Sequence, residues 1–185
     1  DHDAFLWYAR TDQFYYTNEG GSVHQRFHRI FPNLSVSAHE GALTQTRTMG
    51  AGAVCLQGGL EVLEQVDFKT AAPRLAQEAI ELLSAPNCPS GTMDVLLEPD
   101  QLYLQIHESV GHPLELDRIL GDERNYAGTS FVLPEYVGSF RYGSELMNIT
   151  YDPTIRAEFA SFAFDDDGAK AEKQYIIERG ILKRG

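Results

Sequence analysis

Two histidines and a glutamate near the middle of the chain have the residue types of a metal-dependent hydrolytic site. Glu108 follows His107 directly, and His112 stands five positions after His107. Neutral imidazole nitrogens are good zinc ligands, and a free carboxylate beside them can accept a proton from an attacking water molecule. The pattern indicates His107 and His112 as metal ligands and Glu108 as the catalytic base. The alternative is a polar helix face whose histidines only form hydrogen bonds.

The spacing of the two histidines does not suit a regular α-helix. At 3.6 residues per turn the rings would point about 140° apart and could not share one ion. A π-bulge, with its hydrogen bond between residues i and i+5, returns them to one side. Gly111 lowers the steric cost of an unusual backbone angle, while Pro113 removes an N–H and clashes with the carbonyl of Ser109. We therefore expect a bulge or a helix end near residues 109–112.

A helix capped by Asp100 is expected to carry this segment. Leu102, Ile106 and Val110 recur every four residues, so they would face the core and hold the histidines on a rigid element. A strand over residues 92–98 is predicted to precede this helix.

The clearest apolar periodicity in the chain predicts a second helix over residues 67–84. Thr70 can cap its first turn, and the stretch from Ser84 to Pro86 ends it. The stripe expected to pack against a core consists of Leu75, Ala76, Ala79, Ile80 and Leu83.

Alternating polar and apolar residues, separated by glycine-containing turns, predict antiparallel strands on both sides of the helices. They lie within residues 14–54, 145–151, 158–164 and 171–178, with a glycine-rich connection at 49–53. The predicted fold class is α+β: an antiparallel sheet, two main helices, one of them carrying an HExxxH motif, and further antiparallel strands. We expect an N-terminal α+β lobe over 1–84 and a motif-bearing lobe over 85–185.

Charge and composition limit the partners of the protein. The formal net charge is −12 and no Lys/Arg run occurs, whereas surfaces that bind duplex DNA are basic, so no direct nucleic-acid binding is expected. The sequence has no long apolar run and no signal peptide, which predicts a cytoplasmic protein without membrane contact. Cys55 and Cys88 form neither a disulfide framework nor a zinc-knuckle spacing.

Several segments resemble the TldD/PmbA family, on its TldD side. The family's HExxxH signature is similar to residues 107–112, and the likeness continues to Asp117 and through Tyr126-Ala-Gly-Thr-Ser-Phe131. Residues 164–168 resemble the family's acidic turn, and residues 176–183 its second signature; Cys88-Pro89-Ser90-Gly91 also fits. The resemblance is sharp from about residue 84 to 184. It places residues 126–131 near the active site, and within this stretch the hydroxyl groups of Thr129 and Ser130 are predicted to contact the peptide.

This resemblance implies a zinc-dependent peptidase that hydrolyses peptide bonds in flexible or unfolded peptides, in peptide maturation or antitoxin degradation. Glu108 would be its general base. Members of the family were also described as modulators of DNA gyrase. The expected assembly is a homodimer, or a heterodimer with a PmbA-type subunit that lacks the metal motif.

The resemblance also implies a third zinc ligand, a cysteine in a C-terminal part beyond Gly185. The chain is therefore expected to be a central fragment that binds zinc poorly and is inactive alone. Glu115 is the alternative third ligand within the chain. The alternative function is a non-catalytic peptide-binding or scaffold subunit, or a modulator of DNA gyrase that acts through protein contacts.

Overall fold

The structure is a computed structural model that describes residues 1–52 and 54–185. The chain divides into two compact units. The first consists of Asp1–Leu96 with Ile155–Lys170, and the second of Leu97–Thr154 with Ala171–Gly185. The expected lobes, with their boundary between residues 84 and 85, remain a prediction. Within the described residues, no helix has the length and apolarity needed to cross a membrane.

The first unit is built on an antiparallel sheet. Its strands are β1 (His2–Tyr16), β2 (Ser22–Glu40), β3 (Leu43–Thr48) and the short β4 (Leu56–Gln57). β2 lies between β1 and β3, and β4 also pairs with β2. The alternation of β2 buries Ile30, Pro32 and Leu34, which explains why this polar-looking stretch folds as a strand.

The helices of the first unit are α1 (Val62–Gln65) and α2 (Ala71–Ser84). Ala71, Leu75 and Ala79 recur every four residues and are buried, so one face of α2 packs against β2, as predicted for Leu75 and Ala79. Ile80 is 56% exposed and lies off this face. Met49–Gly52 forms a short 3₁₀ helix within the glycine-rich connection, and Ala53 lies outside the described residues.

The second unit carries the histidine motif. It contains α3 (Pro99–Ile106), a π-helical turn (His107–Gly111), a 3₁₀ turn (His112–Leu114), α4 (Leu116–Leu120) and a further 3₁₀ turn (Pro134–Tyr136). Strands β5 (Ile149–Tyr151), β6 (Gln174–Glu178) and β7 (Ile181–Leu182) form a second antiparallel sheet. The core of this unit comprises Val110, Leu114, Val132, Ile177 and Leu182.

The α+β fold class is confirmed, but two predicted strands are wrong. Residues 92–98 have no regular structure, and Leu96 is 88% exposed. Within 158–164 there are only single bridges, Leu56 with Glu158 and Phe164 with Lys170. An alternating sequence suits a β-strand, but a strand forms only where a second segment pairs with its backbone. Neither of these two stretches pairs with another segment over more than a single bridge.

Two expectations for the motif helix are also corrected. The residue at its N-cap is Glu98, and Asp100 lies in the first turn after Pro99. α3 has no buried residue, and Ile106 is 40% exposed, so the inward face begins only at Val110. The π turn changes the angular position of every residue after it, so one four-residue repeat cannot describe both sides of the turn.

Candidate metal centre

The two histidines converge because the helix widens between them. The N–H of His112 donates to the carbonyl of His107, which is the i to i+5 bond of a π turn. The two imidazole ring centres are 4.2 Å apart, with their planes at 68°. The predicted bulge is confirmed, and the opposed orientation required by a regular α-helix does not occur.

One donor atom from each of His107, Glu108 and His112 lies within 4.8 Å of the other two. Zinc–nitrogen bonds of 2.0–2.1 Å place tetrahedral ligand atoms about 3.4 Å apart, so the two imidazoles can hold one divalent cation after small side-chain movements, with the Glu108 carboxylate beside it. The side chains of His107 and Glu108 are 52% and 62% exposed, and that of His112 is 29% exposed. The site is therefore open to an ion and to a substrate from solvent.

Gly111 does not account for the bulge. Its φ of −56° and ψ of −72° lie in the right-handed helical region, which any residue can adopt. A Cβ added there would lie 3.8 Å from Nδ1 of His107, an ordinary van der Waals distance. The predicted contribution of Gly111 is thus not seen, and the break in α-helical bonding is explained by Pro113, which has no N–H.

Val110 and Leu114 anchor the turn. They are 3% and 7% exposed and pack with Ile177 and Leu182 of the second sheet. Because Val110 lies between the two histidines in the sequence, its burial fixes the side of the turn that faces the core. The histidines are left on the accessible side.

Glu115 orients His112. Its Oε1 accepts a hydrogen bond from Nδ1 of His112 at 2.8 Å, and its second carboxylate oxygen pairs with the guanidinium of Arg118. The hydrogen bond from His112, with Arg118, holds the pKa of Glu115 below its ordinary value. A proton on Nδ1 leaves Nε2 of His112 as the lone-pair donor, the usual arrangement of a metal-binding histidine. Since both oxygens of Glu115 are engaged, the structure favours an orienting role over a third-ligand role.

The two predicted peptide contacts, Thr129 and Ser130, differ in burial and in hydrogen bonding. Ser130 is half-buried; its hydroxyl donates to the carbonyl of Pro113 at 2.6 Å and accepts from the N–H of Val132 at 2.9 Å. Thr129 is exposed. A peptide contact by either residue stays a prediction, and Ser130 in addition ties its loop to the histidine segment.

Tyr142 is a neighbour of the site that the sequence does not reveal. Its hydroxyl donates to the carbonyl of Ser109 at 2.5 Å, from 33 positions away in the chain. Burial raises the pKa of Tyr142, which keeps the hydroxyl a donor at neutral pH. The sequence indicates only that a donor is needed, because Pro113 leaves the Ser109 carbonyl without its α-helical partner. The residues near Ser109 in the sequence do not indicate which group replaces that partner.

This π-bulged helix brings two imidazoles and an exposed carboxylate together in a group that could hold a metal ion. The family described as PmbA/TldA metallopeptidase C-terminal domain matches residues 90–185. The chain belongs to this PmbA/TldD metallopeptidase family.

Individual relatives agree with this assignment. The chain is 31% identical over 166 residues to a metalloprotease of Methanothermobacter thermautotrophicus, covering 89% of this chain and 34% of that protein. It is 28% identical over 123 residues to a protein of Saccharolobus solfataricus named zinc metalloprotease TldD homolog, covering 66% of this chain and 26% of the relative. The chain thus spans about a third or less of the length of these curated relatives.

The fold also has a solved counterpart. The crystal structure of TldE from Thermococcus kodakarensis is similar with a TM-score of 0.56 and 16% sequence identity, over 90% of this chain and 34% of that one. At 16% sequence identity, this structural similarity shows a shared fold and carries no conclusion about function.

Proposed function

We propose that the protein is a zinc-dependent peptidase of the TldD type, with His107 and His112 as zinc ligands and Glu108 as general base. The observation that carries this proposal is the convergence of the three donor groups within 4.8 Å on the π turn. Support for zinc comes from the donor set and from the name of the Saccharolobus relative.

The roles of the residues follow from their surroundings. A bound zinc ion would supply Lewis acidity for the carbonyl and would make water more acidic. Glu108 is exposed, and its Oε1 lies 4.0 Å from Nε2 of His107, so it can accept the proton of a water molecule that attacks a peptide carbonyl. The same carboxyl then donates that proton to the leaving amine. Glu115 keeps His112 in the tautomer that presents Nε2.

A third ligand is needed, because catalytic zinc is usually held by three protein groups. We infer that it comes from a part of the protein outside residues 1–185 and is a cysteine, as the family resemblance implies. The share of the relatives that this chain spans is consistent with such a part. Residues 1–185 alone would then bind zinc weakly and cleave little. Elemental analysis that finds one zinc per purified 185-residue chain would contradict this inference.

The substrates proposed are flexible or unfolded peptides, in peptide maturation or antitoxin degradation. The exposed positions of His107 and Glu108 support access by an extended chain. The proposed setting is the cytoplasm, in a homodimer or in a heterodimer with a PmbA-type subunit. The net charge of −12 argues against a direct nucleic-acid substrate.

The test is Glu108→Gln in the full-length protein. The variant keeps the size of the side chain and removes its basicity, so bound zinc should be retained while hydrolysis of an unstructured peptide falls by at least about 100-fold. Glu135→Gln, at an exposed carboxylate on the 3₁₀ turn Pro134–Tyr136, is the matched control. Full hydrolysis by Glu108→Gln would exclude the proposed base.

A peptide-holding scaffold is the second candidate. β1 is the outer strand of its sheet, and its residues Phe5, Leu6, Trp7 and Tyr8 are 42–49% exposed, which suits pairing with an extended peptide. Action on DNA gyrase through protein contacts would belong to this class. In a scaffold, Glu108→Gln would leave function unchanged, so the same variant separates the two candidates.

A further inference from the structure

The carbonyl of Ser109 has lost its α-helical partner. In a regular helix it would accept the N–H of residue 113, but proline has none. The hydroxyl of Tyr142 donates to this oxygen instead, at 2.5 Å. Ser109 directly follows Glu108 inside the π turn, so the bond acts on the backbone between the two histidines.

Tyr142 is itself held firmly. Its N–H donates to the carbonyl of Gly180 at 2.8 Å, which fixes its backbone beside the turn that joins β6 and β7. Its ring packs in the apolar cluster of this unit, with ring centres 5.7 Å from those of both Phe131 and Phe140. The hydroxyl is therefore presented from a rigid neighbour and not from the histidine segment.

We propose that Tyr142 is a positioning residue for the candidate metal centre: its hydroxyl supplies the hydrogen bond that Pro113 cannot give to Ser109. This bond holds the π turn that brings His107 and His112 together. Without it, this half-buried carbonyl has no helical donor, since Pro113 lacks an N–H, so the turn gains by any shift that exposes the carbonyl to water. Such a shift changes the backbone angles between His107 and His112, so the approach of the two rings is lost. The inference rests on the proposed function only where it concerns metal binding, because the approach of the two rings can be measured without a metal.

The primary test measures that approach without metal. In the full-length protein with isotope-labelled histidine, the ring protons of His107 and His112 should show a nuclear Overhauser effect, because the ring centres are 4.2 Å apart. Tyr142→Phe should weaken or abolish this effect. Tyr136→Phe is the matched control, because it removes a hydroxyl from a tyrosine of the same apolar cluster. An unchanged effect in Tyr142→Phe would overturn the proposal.

The second test measures metal affinity by titration with Co²⁺ and by competition with Zn²⁺. Tyr142→Phe should weaken binding about tenfold, the lower end of the range for residues that support metal ligands, and Tyr136→Phe less than about twofold. Pro113→Ala restores an N–H that can reach Ser109 in the α-helical register, so this variant should itself weaken metal binding, and Tyr142→Phe in that background should cost less than about twofold more. Equal losses in the two backgrounds would assign Tyr142 a general structural role and refute the inference.

The two proposals fail separately. If the unmodified full-length protein binds neither metal, the proposed peptidase function is wrong, and the Overhauser measurement still decides the role of Tyr142. If it binds metal and Tyr142→Phe changes neither the ring approach nor the affinity, only the role of Tyr142 is wrong.

Discussion

Replacing Glu115 by glutamine changes the hydrogen bond that orients His112, a proposed zinc ligand, and leaves His112 itself unchanged. Glu115 accepts the Nδ1 hydrogen bond of His112 at 2.8 Å and pairs with Arg118 through its other oxygen. The amide of glutamine can keep one acceptor for Nδ1, but it removes the negative charge that makes Nε2 a stronger donor to metal. It also leaves Arg118 facing a neutral group.

The expected effect is about a tenfold loss of zinc affinity. Substitutions of groups that support metal ligands typically cost about 10- to 100-fold. The lower end applies here because the side chain of Glu115 is 40% exposed, so water screens its charge and can partly replace it. The overall fold should be unaffected, since neither Glu115 nor Arg118 belongs to the apolar core.

The assay is competition between the full-length protein and a coloured zinc chelator at constant pH. Asp117→Asn is the matched control: it removes the same charge two residues away, while its remaining oxygen can still accept the N–H of Arg118. Unchanged affinity in Glu115→Gln, or an equal loss in both variants, would refute the orienting role.

Three further outcomes are expected. Gly111→Ala should leave zinc affinity within about twofold in the same competition assay, because the added Cβ meets His107 at an ordinary 3.8 Å; a tenfold loss would show that the turn needs glycine. Ile177→Ala should lower the unfolding free energy of the second unit by about 3 kcal/mol in urea, since Ile177 is fully buried in its core; a loss under about 1 kcal/mol would contradict that burial. Arg26, with His24 and Arg10, lowers the pKa of Asp12 to about 2. The folded pKa lies below the unfolded value of about 3.9, so this stabilisation is present above about pH 4 and disappears as pH falls toward 2. The urea midpoint of Asp12→Asn should lie below the wild-type midpoint at pH 6 and match it near pH 2.

The π turn was predictable because two local features required it. The five-residue spacing of His107 and His112 cannot serve one ion on a regular helix, and Pro113 withdraws a hydrogen bond at the right position. α2 was predictable for a similar reason: Leu75 and Ala79 recur at helical spacing, and both are buried. Both patterns involve residues that are close together in the sequence, so they predict local structure without knowledge of the rest of the fold.

The errors concern partners that are distant in the sequence. Residues 92–98 alternate like a strand but have no pairing segment among the described residues, and Ile106 matches the stripe of Val110 yet lies before the turn that changes its direction. The contact of Tyr142 with Ser109 bridges 33 positions and follows from the packing of β6 and β7 against the turn. A sequence shows that the Ser109 carbonyl needs a donor, and only the fold shows which donor it receives.

The most direct measurement of the central claim is zinc K-edge X-ray absorption of the full-length protein and of its His107→Ala and His112→Ala variants. The structure predicts the multiple-scattering signature of two imidazoles on one ion. Each variant should lose one imidazole from that shell, or lose the metal. A spectrum without imidazole scattering, or spectra that both substitutions leave unchanged, would show that these two rings do not hold the ion.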